Sequence, residues 1–94
     1  MRPDKKIKVL KNRIRENHKD YKAYIAIGDI YQQYGNFNGA IQAYQRALKI
    51  KPNDEINLNR LGEAFWRAKR YPEALRQFKK ALKVNPKYAY AHLN

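Results

Sequence analysis

Catalysis needs a nucleophile or a proton carrier held beside a partner, and this chain supplies few of the parts. It contains no serine and no cysteine, and its two histidines, His18 and His92, lie far apart in sequence. Two isolated histidines give no metal-ligand spacing. No glycine-rich phosphate loop follows a strand-like run. The reading is therefore of a non-enzyme with no cofactor and no metal. What these side chains can do is bind, through charge, hydrogen bonds and aromatic faces. Lys and Arg number 21 against 8 Asp and Glu, a net charge of +13, and a field of that sign attracts nucleic acid, anionic lipid or acidic protein. Where the charge sits matters more than its size.

The elements that must position these groups belong to one small domain. At 94 residues the chain can bury a modest core but not two, and 44% apolar with 31% charged residues is a globular composition. Without cysteine there is neither a disulfide framework nor a cysteine-based zinc site. The opening Met1-Arg2-Pro3-Asp4-Lys5-Lys6 is charged and leads into no apolar run of the kind a signal peptide needs. Apolar residues nowhere accumulate into a transmembrane segment. A soluble, cytoplasmic protein is the expectation.

A 34-residue period organises the sequence. Gly28 and Gly62, Ala40 and Ala74, Ala47 and Ala81, Leu48 and Leu82, and Pro52 and Pro86 are identical pairs at that offset, and Ile27/Leu61, Tyr31/Phe65, Phe37/Tyr71, Ile41/Leu75, Tyr44/Phe78 and Ile50/Val84 are conservative ones. Tyr24, Ile27 and Tyr31, like Leu58, Leu61 and Phe65, recur at three and four residues and make one apolar helical stripe. Gly28 and Gly62 then fall mid-helix, each at a cost of about 1 kcal/mol relative to Ala. Close approach of a partner helix is the reason expected, with Ala40, Ala47, Ala74 and Ala81 as the small surface opposite. Turns are predicted at 35–38, around Gly35-Asn36, and at 69–71, before Pro72 at a first helical position. Pro52 and Pro86 end the second helices. Asp20 and either Asn53 or Asp54 are placed to cap the helices that follow.

Tyr24-x-x-Ile27-Gly28-x-x-Tyr31, Ala40-x-x-x-Tyr44 and Pro52, repeated as Leu58-x-x-Leu61-Gly62-x-x-Phe65, Ala74-x-x-x-Phe78 and Pro86, resemble the tetratricopeptide (TPR) repeat family, a helix-turn-helix unit. The resemblance covers 21 to 88. It implies an all-α array with two full repeats, 21–54 and 55–88. Residues 4–17 read as a capping helix, the second helix of an eroded earlier unit, with Ile7, Leu10 and Ile14 as its apolar stripe and Lys6 and Arg13 where the other units carry Ala. Residues 89–94 match the opening of a truncated third repeat. A missing neighbour would leave Phe78, Leu82 and Val84 poorly covered, and so favour self-association through that C-terminal face.

In this family the stacked first helices line a concave groove. By register, the resemblance places Lys22, Ile25, Asp29, Gln32 and Gln33 there from the first unit, Ile56, Asn59, Glu63, Trp66 and Arg67 from the second, and Tyr90 beyond them. Asp29 and Glu63 share one position of the unit, so the groove reads as mixed in charge. The lysines and arginines of the second helices, Arg46, Lys49, Arg76, Lys79, Lys80 and Lys83, face outward in the family. The two-carboxylate clamp by which some members hold chaperone tails needs Lys, Asn, Asn, Lys and Arg. Ile25, Asp29, Arg60, Tyr90 and Asn94 occupy those places, so that clamp is not expected. Trp66 reads equally as a peptide anchor or as packing between helices. Tyr24, Tyr31 and Tyr44 fall on core positions, Tyr34 and Tyr90 are the exposed candidates, and His18 belongs in a turn.

The function these readings point to is a protein-interaction scaffold that takes a peptide or helix of a partner protein in the groove. Two alternatives stand beside it. One is a basic outer surface for nucleic acid or an anionic membrane, and the other is a repeat fragment that only folds and self-associates.

Overall fold

The computed structural model describes residues 3–86. Five helices follow one another, α1 (Pro3–Glu16), α2 (Tyr21–Gln33), α3 (Phe37–Ile50), α4 (Glu55–Arg67) and α5 (Tyr71–Val84), with no strand among the described residues. Helices α2 and α3 form one antiparallel hairpin and α4 and α5 a second; α4 packs on α3, and α1 packs on α2. This is the all-α helical-hairpin array that the 34-residue period implied. The matches of the notional third unit, Tyr90 included, lie outside the described residues.

Helix boundaries follow from local chemistry. The side chain of Asp20 accepts from the Ala23 N–H at 3.1 Å, that of Asn36 from Gly39 at 2.9 Å, and that of Asp54, not Asn53, from Ile56 at 3.3 Å. Helix α5 starts after Arg70, which makes no side-chain cap, and takes Pro72 in its first turn, where a missing N–H costs nothing. Both hairpin turns close in the same way. In the first, Asn36 N–H donates to Tyr31 C=O at 2.8 Å and Gly35 N–H to Gln32 C=O at 3.1 Å; in the second, Arg70 N–H donates to Phe65 C=O and Lys69 N–H to Trp66 C=O. Such a paired closure needs one residue at positive φ. Gly35 takes φ 81°, whereas the second unit places Lys69 there at φ 63°.

The mid-helix glycines are explained by what lies over them. A Cβ on Gly28 would stand 2.5 Å from a ring carbon of Tyr44, and one on Gly62 would stand 2.6 Å from Phe78. The close partner is thus an aromatic ring and not the alanine surface expected. The alanines at 40, 47, 74 and 81 are fully buried and let α3 and α5 approach. Tyr44 and Phe78 join Ala40, Ile41, Leu61, Ala64, Phe65 and Ala74 in one core that runs through both hairpins. Burying each large member contributes roughly 1.5–3 kcal/mol.

This packing corrects the expected uncovered stripe at Phe78 and Leu82, while Val84 is exposed as expected. Phe78 is only 7% exposed, because its ring sits in the place a Gly62 side chain would take, and Leu82 is half-buried. The apolar groups that α5 shows to solvent are Leu75 and Val84, with Tyr71 beside them. On α1, Ile7 is buried and Leu10 and Ile14 are half-buried, while Val9 lies on the exposed side. His18 lies in the turn between α1 and α2, as expected.

Candidate functional site

Helices α2 and α4 carry the residues that the repeat register assigns to a binding groove, and an ion pair brings the two helices together. The Arg60 guanidinium on α4 donates to Asp29 Oδ2 on α2, while the Tyr44 hydroxyl on α3 donates to Asp29 Oδ1 at 2.5 Å. One carboxylate therefore links three helices and both repeats. Tyr44 is 1% exposed. Burial, and then the hydrogen bond to Asp29, raise its phenol well above the ordinary tyrosine range, so it remains a neutral donor throughout the physiological range. The sequence reading missed this triad because it weighed Arg60 only as a place of the chaperone-tail clamp and Tyr44 only as core. A signal existed: Asp29 and Arg60 lie one period less one helical turn apart, which places oppositely charged groups on adjoining repeats.

Glu63, at the Asp29 position of the next unit, pairs along its own helix with Arg67 at 3.3 Å. Both acids of the groove are thus engaged by arginines, and Lys22 is left as an exposed cation nearby on α2. Most of the other assigned residues are accessible to some degree. Trp66 is 52% exposed, Ile56 is 43% exposed, and Gln33 is exposed. Two are not open. Ile25 is half-buried and packs against the core, and Asn59 is 2% exposed, its Nδ2 donating to the Glu55 carbonyl at 3.0 Å. As a freely presented groove residue Asn59 is therefore corrected, because its amide turns back along its own helix. Gln32 is half-buried, with an Oε1 that meets no donor, as is also true of Asn59 Oδ1.

Trp66 stands edge-on to Tyr71, ring centroids 4.7 Å apart at an interplanar angle of 69°. The contact fixes the indole at the end of α4 without covering it. Ile56, Glu63 and Trp66 share one stripe of α4. Ten residues separate the first from the last, a span of about 15 Å, which matches about five residues of extended chain.

No group of three or more His, Asp or Glu residues among those described could hold a metal ion. No helix of the described residues is long and apolar enough to cross a membrane. The site offers an arginine-bridged carboxylate, an exposed indole and an isoleucine, which suits recognition.

Comparison with known sequences and structures agrees with this geometry. The family described as "TPR repeat" matches residues 28–69, and that described as "Tetratricopeptide repeat" matches residues 58–88. The chain belongs to the tetratricopeptide repeat family. The peroxisomal targeting signal receptor of Candida glabrata is 34% identical over 85 residues, covering 90% of this chain and 14% of that protein. Anaphase-promoting complex subunit 3 of Schizosaccharomyces pombe is 32% identical over 78 residues, covering 83% of this chain and 12% of that one. Among solved structures, the crystal structure of the MamA protein superposes with a TM-score of 0.80 at 32% identity, over 89% of this chain and 46% of that one. The chain thus spans a small part of the curated relatives it matches.

Proposed function

We propose that this chain is a protein-interaction scaffold that receives an extended or helical segment of a partner protein on the face formed by α2 and α4. The observation that carries the reading is the half-exposed Trp66, held by Tyr71 at one end of a stripe that begins at Ile56. Exposed aromatic anchors with a preset orientation contribute disproportionately to binding. Relatives that are by name a receptor for a targeting signal and a subunit of a larger complex support the same class of function. With Asp29 and Glu63 occupied by arginines and Lys22 open, the face suits a segment that offers an apolar anchor beside a carboxylate. The expected chemistry is binding without turnover.

Trp66 is the single tryptophan of the chain, so its emission reports directly on the site. Peptides selected from a displayed random library against residues 1–94 should shift that emission to the blue on binding, and Trp66→Ala should weaken them at least tenfold, about 1.4 kcal/mol or more. Selected peptides that leave the emission unchanged and bind Trp66→Ala equally well would remove the groove from consideration.

A further inference from the structure

On the opposite side of the molecule, the outward faces of α1, α3 and α5 carry a pattern with the repeat's own period. The α1 row is Lys8, Lys11, Asn12 and Arg15. Thirty-four residues on, the α3 row is Gln42, Gln45, Arg46 and Lys49, and a further 34 on, the α5 row is Arg76, Lys79, Lys80 and Lys83. Each row follows the i, i+3, i+4, i+7 spacing of a single helical stripe. All twelve positions are exposed. Nine are basic, three are amides, and none is acidic or apolar. None of the nine cations enters any of the four ion pairs formed among the described residues. Carboxylates approach the rows only at helix ends: Asp4 and Glu16 on α1, and Glu73 on α5, which is bonded to Arg70 at 2.8 Å.

Solvation alone asks only that such a face be polar. Like charges packed along a stripe repel, and an acid at any of the twelve positions would relieve that repulsion. The rows are also separated in a particular way. A cleft between α1 and α3 is lined by Lys11, Gln42 and Arg46, with Tyr24 and Tyr31 at its base, and one between α3 and α5 is lined by Gln45, Lys49, Gln77 and Lys80. On the other side of the molecule the Asp29–Arg60 ion pair links α2 to α4. A surface that is bridged on one side and cleft on the other bows outward on the cleft side.

We propose that this outward face binds single-stranded nucleic acid through its phosphodiester backbone, without dependence on base sequence. A duplex is stiff over about 50 nm and would meet a bowed surface along a line, reaching little more than one row. A single strand is flexible enough to cross all three rows, with phosphates at the cations and bases over the clefts, where glutamine amides can donate and accept. An anionic bilayer fits less well. Interfacial proteins sink apolar side chains beside their cations, and the twelve positions hold none.

The test is fluorescence anisotropy with labelled 12-nucleotide oligo(U) and oligo(dT) against residues 1–94, between 50 and 200 mM KCl. Single strands release about 0.7 counterion per neutralised phosphate. Six contacts therefore give a log–log slope of about −4 and a loss of affinity of about 10²- to 10³-fold over that range. A face variant, Arg46→Gln with Lys49→Gln, Lys80→Gln and Lys83→Gln, should reduce the slope by about 3 and weaken binding at 50 mM at least tenfold. A control variant removes four exposed cations from other surfaces, Lys6→Gln, Lys19→Gln, Lys22→Gln and Lys69→Gln, and carries the same net charge. It should retain most of the affinity. Circular dichroism of both variants checks that the helices persist. The proposal is overturned by no binding at 50 mM, by equal losses in the two variants, or by phosphatidylserine vesicles or poly-glutamate holding the wild-type chain more tightly than either oligonucleotide.

Discussion

The contact between Gly28 and Tyr44 gives a prediction whose sign opposes the usual rule for helices. In an exposed helix, Gly→Ala stabilises by about 1 kcal/mol. At Gly28 the added Cβ would lie 2.5, 2.7 and 2.9 Å from three ring carbons of Tyr44, where carbon–carbon contacts rest at about 3.5–4 Å. The ring must retreat by about 1 Å into a filled core, an overpacking that costs about 1–3 kcal/mol. The same retreat stretches the bond to Asp29 beyond hydrogen-bonding reach. Because that acceptor is charged but half-exposed, its loss costs about 1.5 kcal/mol. Net of the propensity gain, Gly28→Ala should destabilise by about 1.5–3.5 kcal/mol. In thermal unfolding that is about 10–20 °C for a domain of this size.

Gly62 provides the internal comparison. Phe78 crowds it to 2.6 Å but holds no carboxylate, so Gly62→Ala should cost about 0–2 kcal/mol, the overpacking less the propensity gain. Urea unfolding followed by far-UV circular dichroism, with linear extrapolation, measures both. Shrinking the ring should couple to the glycine change: Gly28→Ala with Tyr44→Leu should cost at least about 1 kcal/mol less than the two single changes added together. A stabilised Gly28→Ala, or a Gly62→Ala that costs just as much, would refute the reasoning about the ring and its hydrogen bond.

Three other outcomes are expected. Lys69 holds φ 63° in the place where the first unit uses Gly35, so Lys69→Gly should raise stability by about 0.5–1 kcal/mol, read as a higher urea midpoint; a lower midpoint would show that the left-handed conformation carries no strain. Because the folded pKa of Tyr44 is raised, the stability it contributes is complete below the ordinary tyrosine ionisation near pH 10 and is lost as pH rises above it. Absorbance titration should therefore show one of the eight tyrosines ionising only as helicity is lost, and Tyr44→Phe should remove that class; ionisation of all eight before any loss of helicity would contradict it. Trp66 is held edge-on by Tyr71 but is half-exposed, so Trp66→Ala should lower stability by no more than about 1.5 kcal/mol, and a cooperative loss of structure would place the indole in the core instead.

The repeat period, the approximate helix boundaries and the cap at Asp20 were legible because each depends on residues within a few positions of one another, whereas Asn36 was read only as part of a turn and Asp54 was not told apart from Asn53. The family register likewise located the core aromatics, because position in a repeat encodes depth. What escaped depends on contacts between units. The register marks Gly28 and Gly62 as tight but does not say against what, and a ring sixteen residues further on, Tyr44 or Phe78, supplies the answer in each unit. Phe78 was misread as uncovered for the same reason. Asn59 has the polarity of a groove residue, and only the direction of its amide, back toward Glu55, withdraws it from solvent. Asp29 was read as a groove charge without its partner because Arg60 was weighed only as a place of the chaperone-tail clamp.

The charge segregation follows from how the fold uses its acids. Asp20 and Asp54 cap helices, Asp29 ties the two repeats together, and Glu63 and Glu73 pair with Arg67 and Arg70. Five of the eight carboxylates are thereby committed to helix ends, to α2 and α4, and to the first turn of α5. Each serves a helix N-terminus, an arginine close by in sequence or the neighbouring repeat, and none lies on the outer stripe of the second helices. The second helices meet their partners through alanine, glycine and an aromatic ring, which asks nothing of their outer stripe except polarity. Folding therefore does not require that stripe to be basic. Nine cations and no carboxylate at twelve in-register positions are a surplus beyond what the scaffold needs, and it is on that surplus that the proposed binding of single-stranded nucleic acid rests.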